Sequence, residues 1–276
     1  MDHAMPSPAD PFALRYGAGS APAAAPRNAV LETLLAHRSV RAFLPDPVAP
    51  ETLHALVAAA QSAATSSNLQ TWSVVAVTDQ PRKDRLAALA GNQRHIREAP
   101  LFLVWLADLS RLAGLAEAHA TPAEGIHYLE MLLVGVVDAS LASQNAVVAL
   151  ESLGLGAVYI GGIRNHPEQV AAELALPPLV FPVFGLCVGT PDPARPARIK
   201  PRLPQPAILH HEQYAASPQP AAIAAYVDQL HAFQAAENLP MEDWAERCLA
   251  RVRTPQSLTG RERMREALAN LGFALR

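Results

Sequence analysis

Cysteine is scarce. Cys187 and Cys248 stand without paired spacing in a chain of 276 residues. That excludes a disulfide framework and a zinc-ligand signature, and it points to a reduced, cytoplasmic setting. Excess positive charge is also missing. A formal net charge of −3 provides no basic surface for nucleic acid, so any anion must be held by a local cluster of arginine and lysine. The histidines offer no H-x-x-x-H spacing with an acidic partner, so no metal site is expected. Both the G-x-x-x-x-G-K-[ST] phosphate loop and the G-x-S-x-G nucleophile elbow are absent. Gly154-x-Gly156-x-x-Tyr159 imitates a dinucleotide fingerprint, but it lacks the third glycine and follows a helix instead of a strand. Residues 1–27 carry Asp2, Asp10 and scattered proline with no apolar centre, unlike a signal peptide. The most apolar run, Met131 to Leu150, contains Asp138, Gln144 and Asn145. It reads as a buried helix at an oligomer interface and not as a membrane span.

What is present favours helix. Half of the chain is apolar, aromatics are few and alanine is abundant, a composition that buries a sizeable core. Residues 1–27 read as a flexible Ala/Pro-rich tail, and 28–276 as a single domain with a helical C-terminal segment. Asn28 caps a first helix carrying Val30, Leu31, Leu34 and Leu35. Further helices are expected over 51–63, 81–90, 122–153, 167–176, 220–234, 242–253 and 261–271. Strands are expected over 72–78, 101–107, 157–160 and 181–188, the last despite Pro182. Strands that come singly between helices predict a layered α+β fold, a small mixed sheet flanked by helices.

Five clusters carry possible chemistry. His37-Arg38-Ser39-Val40-Arg41 places two guanidiniums and a hydroxyl near a helix end, suited to forked hydrogen bonds with a phosphate. A solvated basic turn serves the helix dipole equally well. Thr65-Ser66-Ser67-Asn68-Leu69-Gln70 offers hydroxyls and amides before a strand, either for a ligand or as an ordinary polar loop. Gln93, in Gly91-Asn92-Gln93-Arg94-His95, can read the edge of a heterocycle, although Gly91 also simply ends a helix. Tyr159-Ile160-Gly161-Gly162 lets backbone approach a flat ring closely, or makes a tight turn. Lys200 and Arg202 alternate along an extended segment and so point the same way, as an anion clamp or a basic linker. Taken together and in this order, the clusters fit a mononucleotide phosphate held by side chains from distant segments.

The run His37-Arg38-Ser39-Val40-Arg41-x-Phe43 resembles the opening motif of the nitroreductase superfamily. Leu133–Asp138, Gln144-Asn145-Ala146, Ala149–Gly156, Val158–Gly162, Phe184–Gly189 and Lys200–Pro204 narrow the resemblance to the oxygen-insensitive NADPH nitroreductases and NADPH–flavin oxidoreductases. It covers residue 28 to the C-terminus; the tail before Asn28 has no family counterpart. The resemblance implies noncovalently bound FMN and an intertwined homodimer. It implies that His37, Arg38, Ser39 and Arg41 contact FMN, with Lys200 and Arg202 joining Arg41 at the phosphate. Ser66, Ser67 and Gln93 would approach the ribityl chain or ring. Tyr159, Ile160, Gly161 and Gly162 would line the ring, with the Gly161 N–H near flavin N5. Arg261 would bind NADPH, with Arg251, Arg253 and Arg263 as alternatives. Asn68 stands where the resemblance implies an aromatic residue, on the wall that would face substrate.

The implied activity is two-electron transfer from NADPH to nitroaromatic or quinone acceptors by a ping-pong cycle, with the flavin carrying the chemistry and no catalytic side chain. Alternatives are an NADPH-dependent reductase of free flavin, an FMN-binding sensor or storage protein, and a helical scaffold with fortuitous basic clusters. Expected partners are a second copy of the chain and small-molecule acceptors, without nucleic acid or membrane.

Overall fold

The computed structural model describes residues 10–17 and 26–276; the rest of the expected tail lies outside the described residues. In chain order the α-helices are α1 (Pro11–Tyr16), α2 (Ala29–Leu35), α3 (Pro50–Gln61), α4 (Gln80–Leu89), α5 (Arg94–Glu98), α6 (Ser110–Ala118), α7 (Leu129–Ser152), α8 (Pro167–Glu173), α9 (Gln219–Ala236), α10 (Trp244–Val252) and α11 (Met264–Asn270). The strands are β1 (Trp72–Val77), β2 (Leu101–Asp108), β3 (Gly156–Ile160) and β4 (Val180–Gly189). Local chemistry starts several of the helices. Asn28 Oδ1 accepts the Leu31 N–H at 2.9 Å, Asp79 Oδ1 accepts that of Arg82 at 2.9 Å, and Asp243 Oδ1 accepts that of Glu246 at 2.9 Å. Each satisfies a donor the first helical turn leaves unpaired.

Three helices lie where the sequence reading has none: α1, α5 and α6. α1 opens on an Asp10 cap, its Oδ1 accepting the Phe12 N–H at 3.0 Å, with Pro11 in the first turn. At six residues it is too short to show a period. The helix expected over 122–153 begins only at Leu129. Glu124–His127 is a 3-10 turn, and Tyr128 at φ −93°, ψ 149° is extended.

The described residues form two compact units, one joining the chain up to Arg38 with Arg198–Arg253, the other joining Ser39–Ala197 with Thr254–Arg276. The second unit holds the sheet, ordered β1-β2-β4-β3 with every neighbouring pair antiparallel. The mixed character expected of it is limited to a parallel bridge between Ser39 and Ala157. β2 is buried along its whole length, and its side chains alternate between two layers, as a pleated strand requires. Leu101, Leu103 and Trp105 pack with Leu56 and Ala60 of α3 and Ala142, Ala146, Val147 and Leu150 of α7. Phe102, Val104 and Leu106 pack with Leu86 and Ala87 of α4, Ile96 of α5 and Val170 of α8. Each fully buried Leu or Ile in these layers contributes roughly 1.5–3 kcal/mol.

Pro182 is accommodated where the β2–β4 register shifts, between Trp105 and Leu106. β3 reaches only to Gly185 on the other side, so the missing proline N–H breaks no ladder bond there. The carbonyl of Val183, the residue passed over by the shift, accepts from Arg164 Nη1.

In the first unit, α9 and α10 join through an edge-on contact of Tyr226 with Trp244, centroids 5.3 Å apart. An Arg198–Glu237 ion pair at 2.6 Å ties the chain entering this unit to the end of α9.

Candidate functional site

The segment after Arg38 joins the sheet at its β3 edge. Val40 N–H donates to the Ala157 carbonyl at 2.8 Å, and Leu44 N–H to that of Thr190 at 2.9 Å. Val40 and Phe43 are buried, while Ser39 and Arg41 face outward. This alternation places the Arg41 charge within reach of His95, just inside α5. Burial lowers the His95 pKa, and the Arg41 charge lowers it further, against a smaller pull upward from Glu98.

β3 runs directly into the twin-glycine turn, a 3-10 turn over Gly161–Asn165. Gly162 is buried against the α4–α5 connection. A Cβ built there would lie 2.3 Å from the Ala90 carbonyl oxygen and 2.8 Å from Gln93 Nε2, so no side chain fits. Gln93 Nε2 itself donates to the Ala90 carbonyl at 3.0 Å. Gly161 is different: a Cβ there would meet only Arg164 Nη2 at 3.5 Å and Arg261 Nη1 at 3.9 Å. Arg261 arrives from the C-terminal segment. Its Nε donates to Asn165 Oδ1 at 2.9 Å, and Gly260 at φ +90° sits against the Asn165 carbonyl, where a Cβ would come within 2.5 Å. Tyr159, which precedes the turn, is 37% exposed, stacks edge-on against Phe184 and shares a 3.1 Å hydrogen bond with Ser143 of α7. Burial raises its pKa.

The serine loop is set by a residue that the loop's own sequence does not reveal. Asp138 of α7, 1% exposed, accepts from Thr65 Oγ1 at 2.6 Å, Ser66 N–H at 3.1 Å, Thr71 N–H at 3.0 Å and Thr71 Oγ1 at 2.9 Å. Arg111 holds the far end through the carbonyls of Gln70 and Trp72, each at 2.6 Å. Between these anchors Ser67, Asn68 and Gln70 adopt φ of 48°, 57° and 53°, a left-handed conformation costly for residues with a side chain. The loop is therefore imposed by its anchors. Ser66 and Ser67 remain exposed on it.

The first unit gathers its own cations. Arg15, buried in α1, donates from Nε to the Leu35 carbonyl at 3.1 Å, from Nη1 to that of Lys200 at 3.1 Å and from Nη2 to that of His37. The Arg202 N–H donates to the Arg15 carbonyl at 2.9 Å. His37–Arg38 and Lys200–Arg202 are thus brought together, with Arg38, Lys200 and Arg202 exposed.

Sequence reasoning missed Arg15, Asp138 and Asn165 as organisers. Asp138 alone left a signal, as a charge inside the most apolar run of the chain.

Fold and site define a class: an α+β protein in which a helix-flanked antiparallel sheet leads into a bare glycine turn beside Arg164 and Arg261. The chain belongs to the nitroreductase family, whose profile matches residues 34–190, with the family's C-terminal domain matching 200–276. It is 44% identical over 184 residues to the oxygen-insensitive NADPH nitroreductase of Salmonella typhimurium, covering 67% of this chain and 74% of that protein. It is 43% identical over 188 residues to the FMN reductase (NADPH) of Bacillus subtilis, covering 68% of this chain and 75% of that one. Among solved structures, NfrA2 of B. megaterium superposes with a TM-score of 0.84 at 37% identity, over 91% of this chain and all (100%) of that one.

Proposed function

We propose that the protein is an NADPH-dependent FMN oxidoreductase that reduces nitroaromatic or quinone acceptors by a ping-pong cycle, as a homodimer in the cytoplasm. One observation carries this reading. The Gly161 backbone lies open, with no built Cβ contact nearer than 3.5 Å, and two arginines stand beside it. A flat ring fits against such a turn, and the neighbouring positive charge favours its reduced, anionic form. When bound, FMN would supply the redox chemistry, hydride acceptance from NADPH and two-electron transfer to the acceptor.

The residues of this chain bind and orient. His37, Arg38, Ser39, Arg41, Lys200 and Arg202 would hold the phosphate end. Ser66, Ser67 and Gln93 offer hydrogen bonds to the ribityl chain and ring edge. Tyr159, Ile160, Gly161 and Gly162 would line the ring, with the Gly161 N–H toward its reactive nitrogen. Arg261, whose Nη1 lies 3.9 Å from a Cβ built at Gly161, takes the NADPH role. Free Cys187 and Cys248 agree with a reducing compartment, and the acidic net charge argues against nucleic acid as a partner.

The relative named FMN reductase (NADPH) favours a second reading, in which free flavin is the acceptor. Anaerobic reduction tests both. The purified protein should be yellow, and NADPH should bleach it faster than NADH; nitrofurazone, a quinone and free FMN as reoxidants rank the acceptors. Arg261→Ala should raise KM for NADPH and keep the flavin. A yellow protein that NADPH leaves unbleached would be a sensor or store, and a colourless one that takes up no FMN would end the reading.

A further inference from the structure

We propose that Arg15, on a helix outside both family-matched stretches, is the positioning residue that sets the two cationic segments of the first unit around the ligand phosphate. α1 precedes residue 34, where the family profile begins, so the contact is an addition to what that profile describes. Arg15 is 5% exposed. Its guanidinium reaches the carbonyls of Leu35 and His37 on one side and of Lys200 on the other. Its own carbonyl takes the Arg202 N–H. The side chain and backbone of one residue thus fix the exit of α2, which leads to Arg38, and the extended Lys200–Arg202 strip.

A planar guanidinium suits this task. Its donors diverge at fixed angles, so three carbonyls on two separate segments can be satisfied at once. A lysine ammonium keeps the charge without the fork. Left alone, two exposed cationic segments repel each other, and each has many conformations to lose when an anion arrives. Tying them by their backbones removes that cost in advance and leaves the Arg38, Lys200 and Arg202 side chains facing out, the preorganisation that raises affinity. Arg15 does not need to touch the phosphate.

The inference rests on the reading that these segments hold the FMN phosphate, and the test separates the two. Full-length holoprotein, wild type and carrying Arg15→Ala, Arg15→Lys or Lys200→Ala with Arg202→Ala, is stripped of flavin and titrated with FMN and with riboflavin, which lacks the phosphate. Arg15→Ala should weaken FMN about tenfold, the scale of charged hydrogen bonds lost, and shift riboflavin by less than about twofold. Arg15→Lys, which retains the charge, should still weaken FMN selectively. Equal losses for both flavins would make Arg15 a staple of the fold only, and unchanged FMN binding would remove it from the site altogether. FMN binding that survives in the Lys200/Arg202 double variant would overturn the phosphate reading itself. Loss there, with Arg15 variants unaffected, would overturn only the role of Arg15.

Discussion

Arg41 and His95 are 54 positions apart in the sequence and share one electrostatic environment. The His95 pKa is held below its ordinary 6.5 by burial first and by Arg41 second. The sign of the consequence follows from linkage. Between 6.5 and the lower folded value, the unfolded chain binds a proton that the folded chain refuses. This residue therefore costs no stability above 6.5, and its cost grows as pH falls from 6.5 through the folded pKa. Removing the positive charge should reverse part of the shift: Arg41→Ala is expected to move the His95 titration upward, read from its imidazole carbon shifts by NMR. A titration that does not move would mean that Arg41 points away from α5, and would take with it the picture of Ser39–Arg41 as one wall of the site.

At the scale of elements, the two glycines of the β3 turn carry different burdens. Gly162→Ala would drive a methyl to within 2.3 Å of a backbone oxygen on the α4–α5 connection, and overpacking of that kind costs about 1–3 kcal/mol. Gly161→Ala meets nothing closer than 3.5 Å and should stay within about 0.5 kcal/mol of wild type. On the proposed reading it should nonetheless slow flavin reduction, because the methyl enters the space given to the ring. Urea unfolding of both variants checks the structural half. Equal destabilisation would refute the close-approach account. The sequence announced the pair, since adjacent glycines after an apolar run mark a turn, but it did not say which one was crowded. That depended on Ala90, a partner about 70 positions away. The same limit explains the rest. Sheet strands were legible as short apolar runs, and the long helices by their length. α1 was not, because it lies in the Ala/Pro-rich tail, and neither were α5 and α6, which open without a side-chain cap. The serine loop was visible as polar sequence, yet its left-handed backbone is imposed by Asp138 and Arg111 from other elements.

At the scale of the whole molecule, α7 has two unlike faces. Leu132, Gly135, Ala139, Ala142, Ala146 and Leu150 are buried, and a Cβ at Gly135 would lie 3.0 Å from that of Ala107 in β2, so the helix is pressed onto the sheet. On the other face Leu129, Leu133, Val137 and Leu141 are 48%, 51%, 53% and 43% exposed. α7 is also long and apolar enough to cross a membrane by length and composition. Crossing would strip it from β1, β2 and α3 and carry Asp138, with its four hydrogen bonds, into hydrocarbon, a heavy cost for a buried charge. An exposed stripe recurring every fourth residue has another use. Ridges at i±4 interdigitate with their own copies when two such helices cross at about −50°, and a twofold axis through the stripe makes it its own partner. Leu133→Glu with Val137→Glu should therefore convert the expected dimer to monomer in sedimentation velocity while circular dichroism stays native, since neither side chain touches the buried layers. A double variant that still sediments as a dimer would move the interface off α7. A wild-type protein that sediments as a monomer would remove the dimer, and the intertwined architecture with it.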